Sequence, residues 1–249
     1  MKKTKDGRRV NPTQRYSGET AGKWINDIFL RNMFYSKRFH EARVDKPYSK
    51  RYEVVANKYQ HTYWKYIQYC IDCAKNSGLW MEFGVATGNS ARYICANIDK
   101  TYYGFDSFKG LPSDWVRHDG DTGTLKGTFN TNGKHPYVPH ANFKPVEGWY
   151  EDTLDQFLLE TPKPCAFVHI DCDIYSSTNT VLECLYKHGR LVSGTVIIFD
   201  EFYGYDKYAE HEYRAFRELV NKYNIHFNWL AHTTGAASWN GEQAAVILK

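Results

Sequence analysis

Two short apolar runs, each ending on a pair of acids, constrain this chain more than any other feature. Ala166-Phe-Val-His-Ile170 runs into Asp171-Cys-Asp173, and Thr195-Val-Ile-Ile-Phe199 runs into Asp200-Glu201. Apolar runs this short, bounded by polar residues, read as strands buried on both faces, the kind found inside a parallel sheet. If the two strands are neighbours, up to four carboxylates meet at one sheet edge. Like charges that close disfavour one another unless a cation sits among them. A divalent metal is therefore the first chemical expectation.

The flanking sequence repeats the strand–helix rhythm. Strands are expected over residues 79–83, 101–105, 145–146, 165–170, 194–199, 225–230 and 243–248. Helices are expected over 90–98, 151–159, 177–187 and 208–222, the last with Tyr213, Phe216, Leu219 and Val220 inward. Such alternation argues for an α/β fold with a mostly parallel sheet and helices on both faces. Ahead of it, Trp24, Ile25, Ile28, Phe29, Met33 and Phe34 recur at helical spacing over 20–39, and Trp64, Ile67, Ile71 and Ala74 do so over 52–76. The chain thus divides into a basic tail with a helical extension (1–76) and a main domain (77–249). Residues 112–142 show no periodicity and hold three His, His118, His135 and His140. A connection that long inside a compact domain suggests a lid facing the substrate.

Bulk properties narrow the field. The 249 residues can bury a sizeable core, and the net charge of +4, much of it in the first nine residues, is too mild to suggest a nucleic-acid partner. No apolar stretch approaches the roughly 20 residues that cross a bilayer, and the N-terminus lacks a signal-peptide core. A cytoplasmic protein with reduced cysteines is expected. Cys70-x-x-Cys73 has no second ligand pair at zinc spacing and reads as structural.

After the first strand comes Glu82-Phe83-Gly84-Val-Ala-Thr-Gly88-Asn89-Ser90. Glycines there let a ligand approach the backbone, and a helix start offers N–H donors. The spacing is neither a phosphate-cradling loop nor the dinucleotide G-x-G-x-x-G. The second strand ends on Asp106, which can hydrogen-bond ribose hydroxyls and favours an adenosine-type ligand.

These motifs occur in order with Phe105-Asp106-Ser107-Phe108-x-Gly110-Leu-Pro112, Val146-x-Gly148-x-x-x-x-Thr153-Leu154, His169-x-Asp171-x-Asp173-x-Tyr175-x-Ser177-Thr178 and Gly194-x-Val196-x-x-x-Asp200. Together they resemble the class I S-adenosylmethionine-dependent methyltransferases of the macrocin O-methyltransferase (TylF-like) family, over about residues 79 to 220. The resemblance implies a Rossmann-like, seven-stranded sheet with a reversed last strand. It implies S-adenosylmethionine bound by Glu82, Phe83, Gly84, Gly88, Asn89, Ser90, Asp106, Ser107, Phe108, Gly148, Trp149 and Asp171. It also implies Mg²⁺, or a similar divalent cation, near Asp171, Asp173, Asp200 and Glu201, and a small-molecule acceptor bearing a sugar hydroxyl. Hard carboxylates suit Mg²⁺, which can orient a hydroxyl and lower its pKa, and Asp173 is the expected catalytic base. Trp115, Tyr137 and Trp149 are candidates to stack on the acceptor.

Two other readings stand beside this one. The pair Asp200-Glu201 departs from the usual Asp-Asp or Asp-Asn, which motivates a non-catalytic binding module on the same fold. A catechol-like acceptor is the other alternative. A nucleic-acid methyltransferase and a nicotinamide enzyme are disfavoured by charge and by glycine spacing. A homo-oligomer built through the N-terminal helices is left open.

Overall fold

The computed structural model describes residues 27–40, 62–119, 123–234 and 243–249. The basic tail, the first part of the expected helix over 20–39, and residues 52–61 lie outside the described residues.

Eight strands form one sheet. In chain order they are β1 (Lys37–His40), β2 (Leu79–Phe83), β3 (Tyr102–Asp106), β4 (Phe143–Glu147), β5 (Cys165–Ile170), β6 (Val196–Phe199), β7 (Phe227–Thr234) and β8 (Ala244–Leu248). Their order across the sheet is β1-β7-β8-β6-β5-β2-β3-β4. Strand β8 runs antiparallel to both of its neighbours, β6 and β7, and every other adjacent pair is parallel. The reversed last strand is as expected.

The strand count is not. The eighth strand, β1, comes from the stretch expected to be helical over 20–39. Its described part is a set of turns, a 3₁₀ turn at Met33–Tyr35, and then β1 paired with β7. Phe29 packs edge-on against Tyr213, Phe216 and Trp229, and Leu30 and Met33 are fully buried. Successive turns place apolar residues at three- and four-residue intervals as a helix does, so the pattern alone does not separate the two.

The central strands β2, β5 and β6 are buried along their whole length. Helices α1 (Thr62–Cys73) and α2 (Asn89–Asn97) cover one face through Tyr66, Ile67, Ala91 and Ile94. Helices α3 (Tyr150–Glu160), α4 (Tyr175–Lys187) and α5 (Glu212–Tyr223) cover the other through Leu154, Leu158, Val181, Leu182, Leu185, Phe216 and Leu219. Each large apolar side chain buried this way contributes on the order of 1.5–3 kcal/mol. Along β2 the side chains alternate between the two cores: Met81 and Phe83 join one, Trp80 the other. No helix among the described residues is long and apolar enough to cross a membrane.

The chain leaves β2 toward β3 on one side and later returns to β5 on the other. The loops at the carboxyl ends of β2 and β5 therefore diverge, and a crevice opens where the winding reverses.

Candidate active site

That crevice is a cavity of about 620 Å³. Its walls come from the glycine loop (Gly84, Val85, Ala86, Thr87, Asn89, Ser90), the end of β3 (Asp106, Ser107), the loop into α3 (Gly148, Trp149), and the acidic loops (Asp171, Asp173, Glu201). The aperiodic segment contributes Pro112, Trp115, Arg117, Phe129, Asn130 and Thr131, so it does face the crevice. Glu82, Phe83, Gly88, Phe108 and Asp200 are not among the walls. Phe83 stacks on Phe105 in the core, and Phe108 is buried beside His135.

Asp106 organises the glycine loop. Its Oδ2 accepts the backbone N–H groups of Val85 at 2.9 Å and Ala86 at 2.7 Å, and its Oδ1 accepts that of Phe108 at 2.7 Å. Gly84 adopts φ +97°, and a Cβ there would meet the carbonyl oxygen of Asp171 at 1.8 Å. The glycine is therefore required by close approach of the β5 loop as well as by its left-handed backbone.

The acidic ends of β5 and β6 meet as the sequence suggests. One oxygen each of Asp171, Asp173 and Glu201 lie within 4.8 Å of one another, and Asp171 and Asp200 form a similar group with His169. Asp171 belongs to both. Burial, then the charge of Asp200, raises the pKa of Asp171 well above the carboxylate range, against the pull of His169. Burial, followed by the charges of Asp200 and Asp173, does the same to Glu201. Asp173 is held at φ +63°, a left-handed conformation that costs a non-glycine residue of order 1–3 kcal/mol. Its pKa is pushed up to about 7 by burial, with Arg117 lowering it and Asp200 and Asp106 raising it. Glu201 Oε2 is buried without a hydrogen-bond partner. An orphaned hard oxygen beside other carboxyls is what a divalent cation satisfies, so the donor set fits one.

His169 sits beneath this cluster, as the core residue the strand position suggests. It is fully buried, with Nδ1 3.0 Å from Glu82 Oε1 and Nε2 3.6 Å from Asp200 Oδ1. Burial pulls its pKa down, but the two flanking carboxylates, Asp200 and Glu82, more than reverse this and raise it well above the usual imidazole value. Tyr63 of α1 lies beside the same carboxylates. Its hydroxyl pKa is raised well above the phenol value by burial and then by Asp200, Asp171 and Glu82.

Several residues escaped the sequence reading. Arg117 stacks its guanidinium over Trp115 at 4.7 Å and Tyr205 at 4.8 Å, and lines the cavity. Glu212, inside the helix expected over 208–222 and the first residue of α5, is fully buried. Tyr63 belongs to an extension without a motif. Of the aromatic candidates, Trp149 lines the cavity, Trp115 is nearly buried there, and Tyr137 is 81% exposed away from it. None of the three lid histidines lines it. His118 pairs with Asp206 and His135 with Glu147, while the His140 carbonyl accepts the Phe143 N–H.

The fold is shared with known proteins. The calicheamicin methyltransferase CalS11 superposes with a TM-score of 0.60 at 20% identity, covering 99% of this chain and 94% of that one. An apo structure of CalS11 is described as a TDP-rhamnose 3'-O-methyltransferase (TM-score 0.50, 20% identity, 82% of this chain and 88% of that one). The O-methyltransferase NovP gives 0.52 at 19% identity, over 74% of this chain and 78% of its own. At these identities the likeness shows the fold. No curated protein matches the sequence. The sequence model of the macrocin-O-methyltransferase (TylF) family matches residues 71–231, which takes in β2 to β6, the start of β7, the glycine loop and both acidic loops. The chain belongs to that family and is a class I, S-adenosylmethionine-dependent O-methyltransferase.

Proposed function

We propose that the acceptor is a hydroxyl of a sugar or glycosylated small molecule, and that transfer is assisted by a divalent cation, Mg²⁺ by the hardness of its donors. The observation that carries the metal half is the convergence of Asp171, Asp173 and Glu201 within 4.8 Å at the wall of the cavity. Asp171, Asp200 and Glu201 would hold the cation, with Asp173 shared between ligand and base. The sugar half is supported by the description of CalS11 as a TDP-rhamnose 3'-O-methyltransferase and by the aromatic and guanidinium groups of Trp149, Trp115 and Arg117 around the space.

S-adenosylmethionine supplies an electrophilic methyl on a sulfonium, and the cation, when bound, lowers the pKa of an acceptor hydroxyl. The chain's own residues do the rest. The glycine loop, fixed by Asp106, forms the wall where Gly84 to Ser90 would receive the cofactor. The Asp173 carboxylate takes the hydroxyl proton as the oxygen attacks the methyl and the sulfonium carbon–sulfur bond breaks, releasing S-adenosylhomocysteine; general-base help of this kind is worth roughly 10²–10⁴ in rate. The walls of the cavity hold donor and acceptor aligned, which accounts for up to about 7–11 kcal/mol in well-oriented reactions.

The experiment is methyl transfer from labelled S-adenosylmethionine to nucleotide sugars, glycosides and catechols, with and without EDTA. Activity on the first two classes, lost in chelator, supports the proposal. Preference for catechols removes the sugar assignment, and full activity in EDTA removes the metal.

A further inference from the structure

The two acidic loops come from different strands and are tied together by a side chain from neither. Glu212, the first residue of α5, is fully buried. Its Oε1 accepts the backbone N–H of Cys172 at 3.1 Å, and its Oε2 accepts the backbone N–H of Glu201 at 3.1 Å. Cys172 lies between Asp171 and Asp173, and Glu201 follows Asp200. One carboxyl therefore holds the residue between Asp171 and Asp173 and the second residue of the Asp200-Glu201 pair.

The arrangement is costly. A carboxyl placed here gives up its hydration, and burial followed by the charges of Asp173 and Asp200 pushes its pKa up to about 8, where an apolar residue would pack without that penalty. An acid used only to start a helix would stay near solvent and cap its own helix; the hydrogen bonds of Glu212 go instead to the loops of β5 and β6. The two amides fix the loops' separation, and that separation sets the distance between the carboxylates they carry.

We propose that Glu212 is a positioning residue that clamps the β5 and β6 loops at the spacing their carboxylates need to hold a divalent cation. This rests on the metal reading above for its purpose, though the clamp itself has an independent readout.

The test compares the full-length protein with Glu212→Gln and Glu212→Asp. The amide of Gln presents one acceptor and one donor, so it can serve only one of the two N–H groups. Asp is a methylene too short to span both. Amide exchange at Cys172 and Glu201 in the wild-type protein should be slow, and should rise at one or both sites in each variant. Mg²⁺ affinity, titrated directly by calorimetry without acceptor, should fall about 10–100-fold, the range seen when outer-shell partners of metal ligands are removed. Affinity for S-adenosylhomocysteine should stay within about twofold, since Glu212 does not line the cavity. Fast exchange of either amide in the wild type overturns the clamp, whatever the variants do. So does Mg²⁺ affinity unchanged in a folded Glu212→Gln protein, or parallel loss of both ligands. If the wild type protects both amides and binds no Mg²⁺, the metal reading fails while the clamp stands as a loop tie.

Discussion

A Cβ on Gly84 would lie 1.8 Å from the carbonyl oxygen of Asp171, so the glycine loop and the first acidic loop are in contact through backbone alone. Gly84→Ala should destabilise the fold by about 2–5 kcal/mol, from left-handed strain plus overpacking. Urea denaturation would show this as a lower midpoint. A midpoint within experimental error of the wild type would mean the two loops are not in contact.

Asp173 lines the cavity with a carboxyl already lifted to about 7. Asp173→Asn keeps the shape and removes the proton acceptor. Turnover should fall roughly 10²–10⁴-fold, with affinity for S-adenosylhomocysteine little changed. An equal loss of turnover and cofactor affinity would contradict its role as base.

The raised carboxyls make stability depend on pH. An unfolded Asp or Glu releases its proton near pH 4, whereas Asp173 holds its proton to about 7 and Asp171 and Glu201 are raised in the same direction. Between about pH 4 and pH 7 the unfolded chain therefore binds fewer protons than the folded one, and stability falls as pH rises. Melting temperature in EDTA should drop across this window. Saturating Mg²⁺ should flatten the slope, and Asp173→Asn should remove part of it. A melting temperature in EDTA that climbs with pH would show that these carboxyls are not buried together.

Cofactor binding should be visible without turnover. A ligand at about 100 times its dissociation constant adds roughly 2.7 kcal/mol, so S-adenosylhomocysteine should raise the melting temperature by several degrees. Substituting Asp106 by Ala should abolish that shift, because the amides of Val85 and Ala86 lose their acceptor. A full shift in the variant would show that the loop holds its shape unaided.

The acidic loops and most of the fold were legible because they are local. An apolar run ending in acids reveals its strand, and the glycine loop sits between a strand and a helix that both show their own period. What could not be read involves distant partners. Strand β1 is polar at Lys37 and Arg38, and its ladder runs to β7, whose Ala231 pairs with Lys37. Nothing near position 37 announces a mate that far away. Glu212 shows the same difficulty at the site: its bonding partners precede it by 40 and 11 residues, and a helix-start acid has an ordinary explanation ready. Arg117 is hidden differently, because its meaning depends on Trp115 and Tyr205 folding around it.

Tyr63 carries a practical consequence. The boundary suggested by the motifs falls at residue 77, yet α1 brings this phenol against Asp200, and Tyr66 from the same helix is fully enclosed. A fragment trimmed at that boundary would keep every motif of the family but lose the cover over its carboxylates. Water would flood in beneath them, their proton affinities would relax toward ordinary values, and a shortened protein could be inert for reasons unrelated to its chemistry.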